Sequence, residues 1–269
     1  MQNKFHVLTF HSFKGGSGKT TLAINFAYYI TELGYKTLLV ENDLQMPTYT
    51  EIFQGYWENQ APIKFLNSYL TDPKNTLLTE LIAPTTLKFD VICTDPNFDP
   101  QQFYALADQK MFRSWLITLQ RTKARLQQPG KYEMIIIDCP PGWHCLIINN
   151  LIISDSVIIV SRTNKYEVLG VKRMLEEIYA KTRQWEDNLF IIWNQVPRVD
   201  AQSIQSLLED FSQLLIHPET VPIKTLGSIP ASDRYSFETT RGNLFLMNSK
   251  CETTKNTLNK LVQEFMTRL

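Results

Sequence analysis

A short stretch near the start of the chain combines glycines, lysines and threonines at a spacing that can bind phosphate. Residues 13–21 read FKGGSGKTT. Glycines let the backbone bend so that several N–H groups face one anion. Gly18, Lys19 and Thr20 match the end of the pattern G-x-x-x-x-G-K-[ST], whose lysine reaches the β- and γ-phosphates and whose hydroxyl ligates Mg²⁺. The stretch therefore predicts a nucleotide site with Mg²⁺, formed by Gly15, Gly16, Ser17, Gly18, Lys19, Thr20 and Thr21.

The segments on either side of this loop are expected to position it. Residues 5–10 (FHVLTF) are apolar and predict a buried strand, and residues 20–33 predict a helix. One face of that helix carries the apolar residues Leu22, Phe26, Ile30 and Leu33, and Gly34 is placed to end it. A glycine loop between a strand and a helix N-terminus binds anions, because the helix dipole and its first N–H groups face the ligand.

A second lysine, Lys14, directly precedes the glycines of this loop. The resulting sequence, K-G-G-x-G-K-T-T, resembles the deviant Walker A motif of the ParA/MinD family of ATPases. This resemblance extends over nearly the whole chain and implies that ATP and Mg²⁺ are the cofactors. It also implies that Lys14 acts in trans, on the nucleotide of the other subunit of a homodimer, and that Lys14 and Lys19 both serve ATP hydrolysis.

Composition and length limit the possible architectures. The chain has 269 residues, of which 43% are hydrophobic, and we find no linker-like stretch and no internal repeat. We therefore predict a single domain over residues 1–269. The N-terminus leads directly into a predicted strand rather than a signal peptide, and no apolar run approaches the ~20 residues of a membrane span. The four cysteines form no C-x-x-C pair, which favours a reducing, cytoplasmic location.

Apolar strand-like runs alternate with helical stretches along the rest of the chain. The strand-like runs are KTLLVEND, FDVICTD, YEMIIIDCPPG, DSVIIVSR, LFIIWNQ and TLGSIP. Continuous apolar strands joined by helices are typical of an α/β fold with a mostly parallel central sheet and helices on both faces. With the loop above, this pattern predicts a P-loop NTPase of the deviant Walker A type. Residues 48–88 are assigned to helices that flank the sheet, without chemistry.

Asp43 follows the second predicted strand, in the sequence LLVENDLQ. This segment resembles the family's LLVDxDPQ, and the resemblance implies that the Asp43 carboxylate orients the attacking water during hydrolysis. Phosphoryl transfer depends on such positioning and on charge stabilisation. The chain departs from the family pattern at two positions, with Glu41 in place of the first aspartate and Leu44 in place of proline. The alternative role for Asp43 is to cap its own loop.

Asp138 ends the apolar run of YEMIIIDCPPG, as the carboxylate of a Walker B element does. Such a carboxylate holds Mg²⁺, so Thr20 and Asp138 are the predicted metal ligands. The following CPPG resembles the family's switch II segment, with Gly142 in place of serine. Gly142 could hinge that loop and bring a backbone N–H near the γ-phosphate.

The resemblance also implies an adenine site. Asn194 ends LFIIWNQ, at a position where the family contacts the base, and Pro230 in GSIPASDR would flank the ring. An amide can pair with both a donor and an acceptor on a base edge. A turn role is the alternative for Asn194. His144 and Cys145 follow switch II, but the cysteine spacing fits neither a zinc site nor the cluster cysteines of the nitrogenase iron protein, so structural roles are predicted for Cys139 and Cys145.

Basic residues form two groups. The first is Lys110, Arg113, Arg121, Lys123, Arg125 and Lys131, with no acidic residue among them. The second is Arg198, Lys224, Arg234 and Arg241. The resemblance implies that Arg198, Arg234 and Arg241 bind DNA without sequence preference, through salt-sensitive phosphate contacts. For both groups the alternative is a solvated surface, because the formal net charge is zero.

The last helical stretch, TLNKLVQEFMTRL, places Leu258, Leu261, Val262, Phe265 and Leu269 on one face. A membrane-surface helix carries many Lys and Arg residues on its polar face. This segment has only Lys260 and Arg268 beside Glu264, so we predict that its apolar face packs in the core.

Taken together, these residues predict a cytoplasmic, nucleoid-associated ATPase of the ParA type. Its homodimer forms with ATP, binds non-specific DNA, and positions or partitions a DNA or protein cargo. A ParB-like protein or another adaptor is expected to stimulate hydrolysis, and membrane binding is not expected. Two alternatives stay open: a MinD-like regulator that cycles on a membrane, and a metabolic ATP-dependent enzyme on the same fold, against which Lys14 argues. A degenerate scaffold without turnover is disfavoured by Lys19, Thr20, Asp43 and Asp138.

Overall fold

The structure is a computed structural model. It describes residues 5–59, 61–62, 64–72, 75–99, 101, 109–127, 130–143, 145–180, 187–216, 221–240 and 251–269. The strands are β1 (His6–His11), β2 (Thr37–Glu41), β3 (Ala83–Pro84), β4 (Asp90–Ile92), β5 (Met134–Asp138), β6 (Ser156–Arg162), β7 (Leu189–Val196) and β8 (Lys224–Pro230). The helices are α1 (Lys19–Glu32), α2 (Tyr49–Ile52), α3 (Leu66–Thr71), α4 (Gln109–Leu126), α5 (Cys145–Ile153), α6 (Lys165–Met174), α7 (Ala201–Leu215), α8 (Asp233–Thr240) and α9 (Glu252–Thr267). A 3-10 turn covers Leu78–Glu80, and a π-helical turn, Leu175–Tyr179, continues α6.

The strands form one eight-stranded sheet in the order β3-β4-β2-β5-β1-β6-β7-β8. Every described pairing is parallel except that of β3 with β4. The predicted fold class, a mostly parallel sheet with helices in a P-loop NTPase, is therefore confirmed. Contacts within the chain define two compact units, and β1 contributes residues to both. The single-domain assignment stays a prediction.

The first unit comprises the described residues of Met1–Thr9, Ile30–Pro140 and His144–Ser154. Its strands β4, β2 and β5 pair in parallel, with Glu41 opposite Asp138 at the carboxyl ends of β2 and β5. All five residues of β5 are buried, as expected for a strand that is covered on both faces. Trp115 of α4 packs into this core and donates its indole N–H to the Leu70 carbonyl at 2.6 Å. This unit therefore holds the ends of β2 and β5 in fixed register.

The second unit comprises Phe10–Tyr29, Pro141–Trp143 and the described part of Asp155–Leu269. Its strands β6, β7 and β8 pair in parallel. Phe265 of α9 packs its ring against Phe26 and Phe190, at centroid distances of 6.2 and 5.8 Å. Leu258, Leu261 and Val262 of α9 are also buried. Core packing of the last helix is confirmed for these residues, whereas Leu269 is exposed, contrary to the predicted stripe, because the helix ends before it.

Most predicted elements agree with the structure. The predicted helix after the phosphate loop is α1, and Gly34 ends it with a positive φ of 94°. The prediction for residues 48–88 was incomplete, because this region adds the short antiparallel edge strand β3 to the sheet. Within the described part of the chain, no helix is both long enough and apolar enough to cross a membrane.

Candidate nucleotide-binding site

The phosphate loop lies between β1 and α1, as the sequence predicted. Gly16 and Gly18 have positive φ values of 74° and 92°, a conformation that side chains disfavour. The first hydrogen bond of α1 runs from the Leu22 N–H to the Gly18 carbonyl at 3.0 Å. The N–H groups that precede Leu22 therefore have no partner within the helix, and they are the groups that can bind an anion.

The two lysines of this loop lie in different environments. Lys19 is 6% exposed, at the start of α1, whereas Lys14 is exposed. The Ser17 hydroxyl between them is buried and has no hydrogen-bond partner among the described residues. Buried polar groups without a partner are uncommon in folded proteins. Because Lys19 is buried, its side chain lies within its own loop, whereas the exposed Lys14 can reach outward.

The structure brings Asn194 and Pro230 together with the phosphate loop. Both line a cavity of about 80 Å³ that Gly18 and Thr21 also line. The Asn194 amide already has two backbone partners: Nδ2 donates to the Ser17 carbonyl at 2.7 Å, and Oδ1 accepts from the Gln195 N–H at 3.0 Å. Asn194 therefore positions the loop directly, and its contact with adenine stays a prediction.

Tyr235 is a residue of this cavity that the sequence analysis missed. Its ring lines the cavity, and its hydroxyl is buried without a hydrogen-bond partner among the described residues. Burial raises the pKa of this phenol, and the negative charge of Glu238 adds to the rise. The hydroxyl is therefore neutral and can donate one hydrogen bond to a ligand. The sequence around this tyrosine, SDRYSF, carries no local signal for this role.

Arg162, at the end of β6, lies against the loop and was also missed. A Cβ atom added to Gly16 would lie 2.8 Å from Nη2 of Arg162. The buried carboxylate of Glu167 holds this arginine, with 3.5 Å between Oε1 and the Arg162 Nε and 3.1 Å between Oε2 and its backbone N–H. The loop therefore has a cation beside Gly16 in addition to its two lysines.

A buried histidine connects the strand before the loop to switch II. The His11 Nε2 lies 2.5 Å from the Gly142 carbonyl, and its Nδ1 lies 2.8 Å from the Tyr179 hydroxyl. Because a carbonyl only accepts, Nε2 carries the proton in the neutral ring and Tyr179 donates to Nδ1. Gly142 has a φ of 80°, as expected for a hinge, but its N–H donates to the Ser12 carbonyl at 2.9 Å. That N–H therefore already has a hydrogen-bond acceptor in this conformation.

Asp138, the predicted Walker B carboxylate, lies in the first unit and is buried. The Tyr49 hydroxyl donates to its Oδ2 at 3.2 Å, and the Asn42 N–H donates to its carbonyl at 2.9 Å. Burial and the charge of Asp138 raise the pKa of Tyr49, which keeps the phenol neutral. Tyr49 belongs to the region to which the sequence analysis assigned no chemistry, and it orients this carboxylate.

Glu41 replaces the family's first aspartate and acts as a structural brace. Its Oε1 accepts the N–H groups of Thr48 and Tyr49 at 2.6 and 2.9 Å, and its Oε2 accepts the Thr94 N–H at 2.9 Å. Burial raises the pKa of Glu41 to about 7, although these three backbone N–H groups oppose the rise. The longer side chain therefore fixes the loops that follow β2 and β4.

Asp43 lies just after β2, in the same unit as Asp138. Its Oδ1 accepts the N–H groups of Gln45 and Met46, both at 3.1 Å. This is the loop-capping role that the sequence left open. Both hydrogen bonds use Oδ1, so the other carboxylate oxygen, Oδ2, is not part of the cap. The proposed role in orienting water stays a prediction.

The structure describes two of the three predicted DNA-binding arginines. Arg198 is exposed, and Arg234 forms an ion pair with Glu238 at 3.5 Å. Arg241 lies outside the described residues. Lys224 of the same basic group pairs with Asp187 at 3.2 Å.

The cysteine predictions concern packing rather than chemistry. Cys93, Cys139 and Cys251 are buried free thiols. His144 and the Cys145 side chain lie outside what the structure describes.

Among the described residues, no group of three or more His, Cys, Asp or Glu side chains could hold a metal ion. Asp138 and Thr20 each offer a hard oxygen donor, the kind that Mg²⁺ takes together with phosphate oxygens and water.

Comparison with known proteins agrees with this geometry. A family profile described as an AAA domain matches residues 5–191. The chromosome partitioning protein ParA of Myxococcus xanthus is 30% identical over 167 residues, which cover 61% of this chain and 55% of that protein. Several other curated relatives are also longer, and the match spans 59% and 65% of the length of two of them.

Solved structures share the fold. A variant of McdA from Cyanothece in complex with ATP has a TM-score of 0.74 at 19% identity, over 98% of this chain and 96% of that one. The septum site-determining protein MinD of Pyrococcus horikoshii, complexed with Mg-ADP, has a TM-score of 0.70 at 20% identity, over 97% of this chain and 95% of that one. At this identity the likeness establishes the fold.

Proposed function

The chain belongs to the ParA/MinD family of deviant Walker A ATPases, and from this premise we propose that it hydrolyses ATP to switch a homodimer on and off. The dimer forms with ATP, and its job is to position or partition DNA or a protein cargo. Hydrolysis to ADP and phosphate separates the subunits. A ParB-like protein or another adaptor stimulates that step.

The observation that carries the proposal is the fixed shape of the phosphate loop. A Cβ atom at Gly18 would lie 2.2 Å from Nδ2 of Asn194, so only glycine fits there. The bent backbone and the start of α1 leave N–H groups available for phosphate oxygens. The unpartnered Ser17 hydroxyl and the cavity beside Asn194 and Pro230 are consistent with a nucleotide held at this loop.

Each predicted catalytic residue has a separate role in this account. Lys19 would contact the β- and γ-phosphates of its own nucleotide, and Thr20 and Asp138 would hold Mg²⁺, which would supply positive charge beside the phosphate oxygens. Asp43 orients the attacking water. Lys14 reaches the nucleotide of the other subunit, where it stabilises charge on the transferring phosphoryl group as an arginine finger from a partner does.

DNA binding belongs to the ATP-bound dimer in this proposal. Arg198, Arg234 and Arg241 are the expected phosphate contacts, which would place the protein on the nucleoid in the cytoplasm. A MinD-like cycle on a membrane is the alternative. The buried apolar residues of α9, among them Leu258 and Phe265, favour the DNA-linked role, because that face is already packed in the second unit.

The test is ATP turnover by the purified chain, measured with and without duplex DNA and with and without anionic vesicles. We expect slow, Mg²⁺-dependent ATP turnover. DNA together with an adaptor should increase the rate, and vesicles should leave it unchanged. Lys19→Ala should abolish ATP binding in calorimetry. Unchanged affinity of that variant for ATP and Mg²⁺ would refute the nucleotide site, and stimulation by vesicles alone would favour the membrane cycle.

A further inference from the structure

A groove of about 370 Å³ opens on the first unit beside helix α4. Three cations line it: Arg121 and Arg125 from α4, and Lys131 from the segment that follows. Four threonines line it as well, Thr76, Thr79, Thr118 and Thr122. The hydroxyls of Thr76 and Thr118 donate to the carbonyls of Ser68 and Ser114, at 3.3 and 2.8 Å, so the groove offers positive charge on a polar wall.

The cations of this groove have no acidic partner in the part of the chain that the structure describes. Among the described residues, no carboxylate lies within ion-pair distance of Arg121, Arg125 or Lys131. The chain contains no Asp or Glu from residue 109 to residue 131. Arg121 and Arg125 are four residues apart on one helix, a spacing at which like charges repel. An anion bound between them would relieve that repulsion.

The acidic residues nearest in sequence to the groove threonines are engaged elsewhere. The Asp72 carboxylate accepts the Asn75 side-chain amide at 3.0 Å. Glu80 pairs with Lys64 at 2.7 Å. Exposed arginines on other helices are paired too, as Arg173 is with Glu177 at 2.7 Å. Among the described residues, Arg121 and Arg125 therefore differ from the arginines of the other helices, which are paired.

One wall of the groove is fixed by a tyrosine. The Tyr69 hydroxyl is hydrogen-bonded to the Thr122 hydroxyl and lies 3.4 Å from the Thr118 carbonyl. Burial raises the pKa of Tyr69, while the Thr122 hydrogen bond and the positive charge of Arg125 oppose the rise. The Tyr69 hydroxyl therefore ties α3 to α4 at this wall of the groove.

The spacing of the cations selects an extended ligand. Arg113, Arg121 and Arg125 are all exposed on α4. At 1.5 Å per residue, Arg113 and Arg125 are separated by about 18 Å along the helix axis. One phosphate group cannot contact cations spread over that length, whereas a row of backbone phosphates can. Arginines and threonine hydroxyls are common donors to such phosphates.

The apolar face of α4 argues against a lipid surface. Trp115 and Leu126 are buried in the core of the first unit, and Ile117 is the one large apolar residue exposed on the described part of this helix. A helix that binds a membrane surface inserts a continuous apolar face. Helix α4 has already packed that face.

We propose that this groove, with the exposed arginines of α4, binds the phosphate backbone of duplex nucleic acid without reading its bases. It is a second surface, separate from Arg198, Arg234 and Arg241. The groove lies within one subunit, so we expect it to bind without ATP or dimerisation, in addition to the ATP-dependent binding proposed for Arg198, Arg234 and Arg241. Failure of this proposal therefore leaves the proposed ATPase cycle untouched.

The test uses the full chain without nucleotide and a short fluorescent duplex of mixed sequence, followed by anisotropy between about 50 and about 200 mM salt. The variant is Arg121→Gln with Arg125→Gln, because glutamine keeps helix propensity at exposed positions. The matched control is Arg173→Gln with Arg268→Gln. It removes the same charge from two other helices, where each arginine is paired with a glutamate.

We expect the groove variant to lower the slope of log affinity against log salt by about 2, since each lost phosphate contact removes roughly 0.9. Its affinity at low salt should fall roughly tenfold or more, while the control keeps the parent slope. A groove variant that loses no more than the control overturns the proposal. So does a loss confined to Arg198→Gln with Arg234→Gln, or binding to anionic vesicles that needs Arg121 and Arg125 while the duplex does not bind.

Discussion

The side-chain amide of Asn194 donates to the Ser17 carbonyl at 2.7 Å, so the end of β7 is tied directly to the phosphate loop. The same amide nitrogen occupies the space that a Cβ atom at Gly18 would need. The shape of the loop thus depends on a residue 177 positions away along the chain. Four experiments follow from this contact and from the proposed roles of the loop lysines and Asp43.

Gly18→Ala should abolish ATP binding, because the added carbon clashes with Asn194 and the positive φ costs about 1–2 kcal/mol for any side chain. Gly34→Ala is the matched control. Gly34 has nearly the same φ, 94°, and a Cβ atom there meets nothing within 4 Å. It should lower the melting temperature slightly and leave ATP affinity at the parent value. Calorimetric titration measures the ATP affinity, and thermal unfolding measures the melting temperature. Equal ATP affinity for the two variants would refute the close contact between Gly18 and Asn194.

Asn194→Ala should weaken ATP binding by roughly 5- to 100-fold, because the buried Ser17 carbonyl loses its partner at a cost of about 1–3 kcal/mol. If Asn194 acts by positioning the loop, the loss is the same for ATP and GTP. If its amide reads the base, the loss is larger for ATP. Combining Asn194→Ala with Gly18→Ala should also restore part of the affinity that Gly18→Ala loses, because the clash is gone. Strictly additive losses in this double-mutant cycle would contradict the contact.

Asp43→Ala should bind ATP but not hydrolyse it, and should accumulate as a dimer. The carboxylate also caps its loop through Gln45 and Met46, so Asp43→Asn serves as the control that keeps an acceptor for the cap. Light scattering with ATP and phosphate release measure the outcome. Turnover at the parent rate in both variants would show that Asp43 has only the capping role.

The parts of the site that follow from local sequence were predictable. The loop from Gly15 to Thr21 sits between a strand and a helix, and that order is readable from apolar periodicity and glycine spacing. Asp138 ends a fully apolar run, which marks the carboxyl end of a buried strand. These signals depend on neighbours in the sequence, so one chain suffices to find them.

The contacts that complete the site join residues distant in sequence. Tyr49 reaches Asp138 across 89 positions, and His11 reaches Tyr179 across 168. No local pattern distinguishes these tyrosines from core residues, because the sheet order alone decides which strand ends become neighbours. The sequence shows Glu238 four residues after Arg234, but the ion pair itself is seen only in the structure. Among the described residues, Arg121 has no carboxylate within ion-pair distance.

The central claim is that Lys14 acts in trans, and the most direct measurement is ATPase activity in a mixture of two inactive variants. One is Lys14→Ala, whose Asp43 is intact, and the other is Asp43→Ala, whose Lys14 is intact. A mixed dimer has one site with its own Asp43 and a lysine from the neighbour. An equal mixture should therefore recover about one quarter of parent turnover, since half of the dimers are mixed and one of their two sites is complete. A mixture as inactive as its components, with mixed dimers shown to form, would contradict the account and place Lys14 in its own subunit's site.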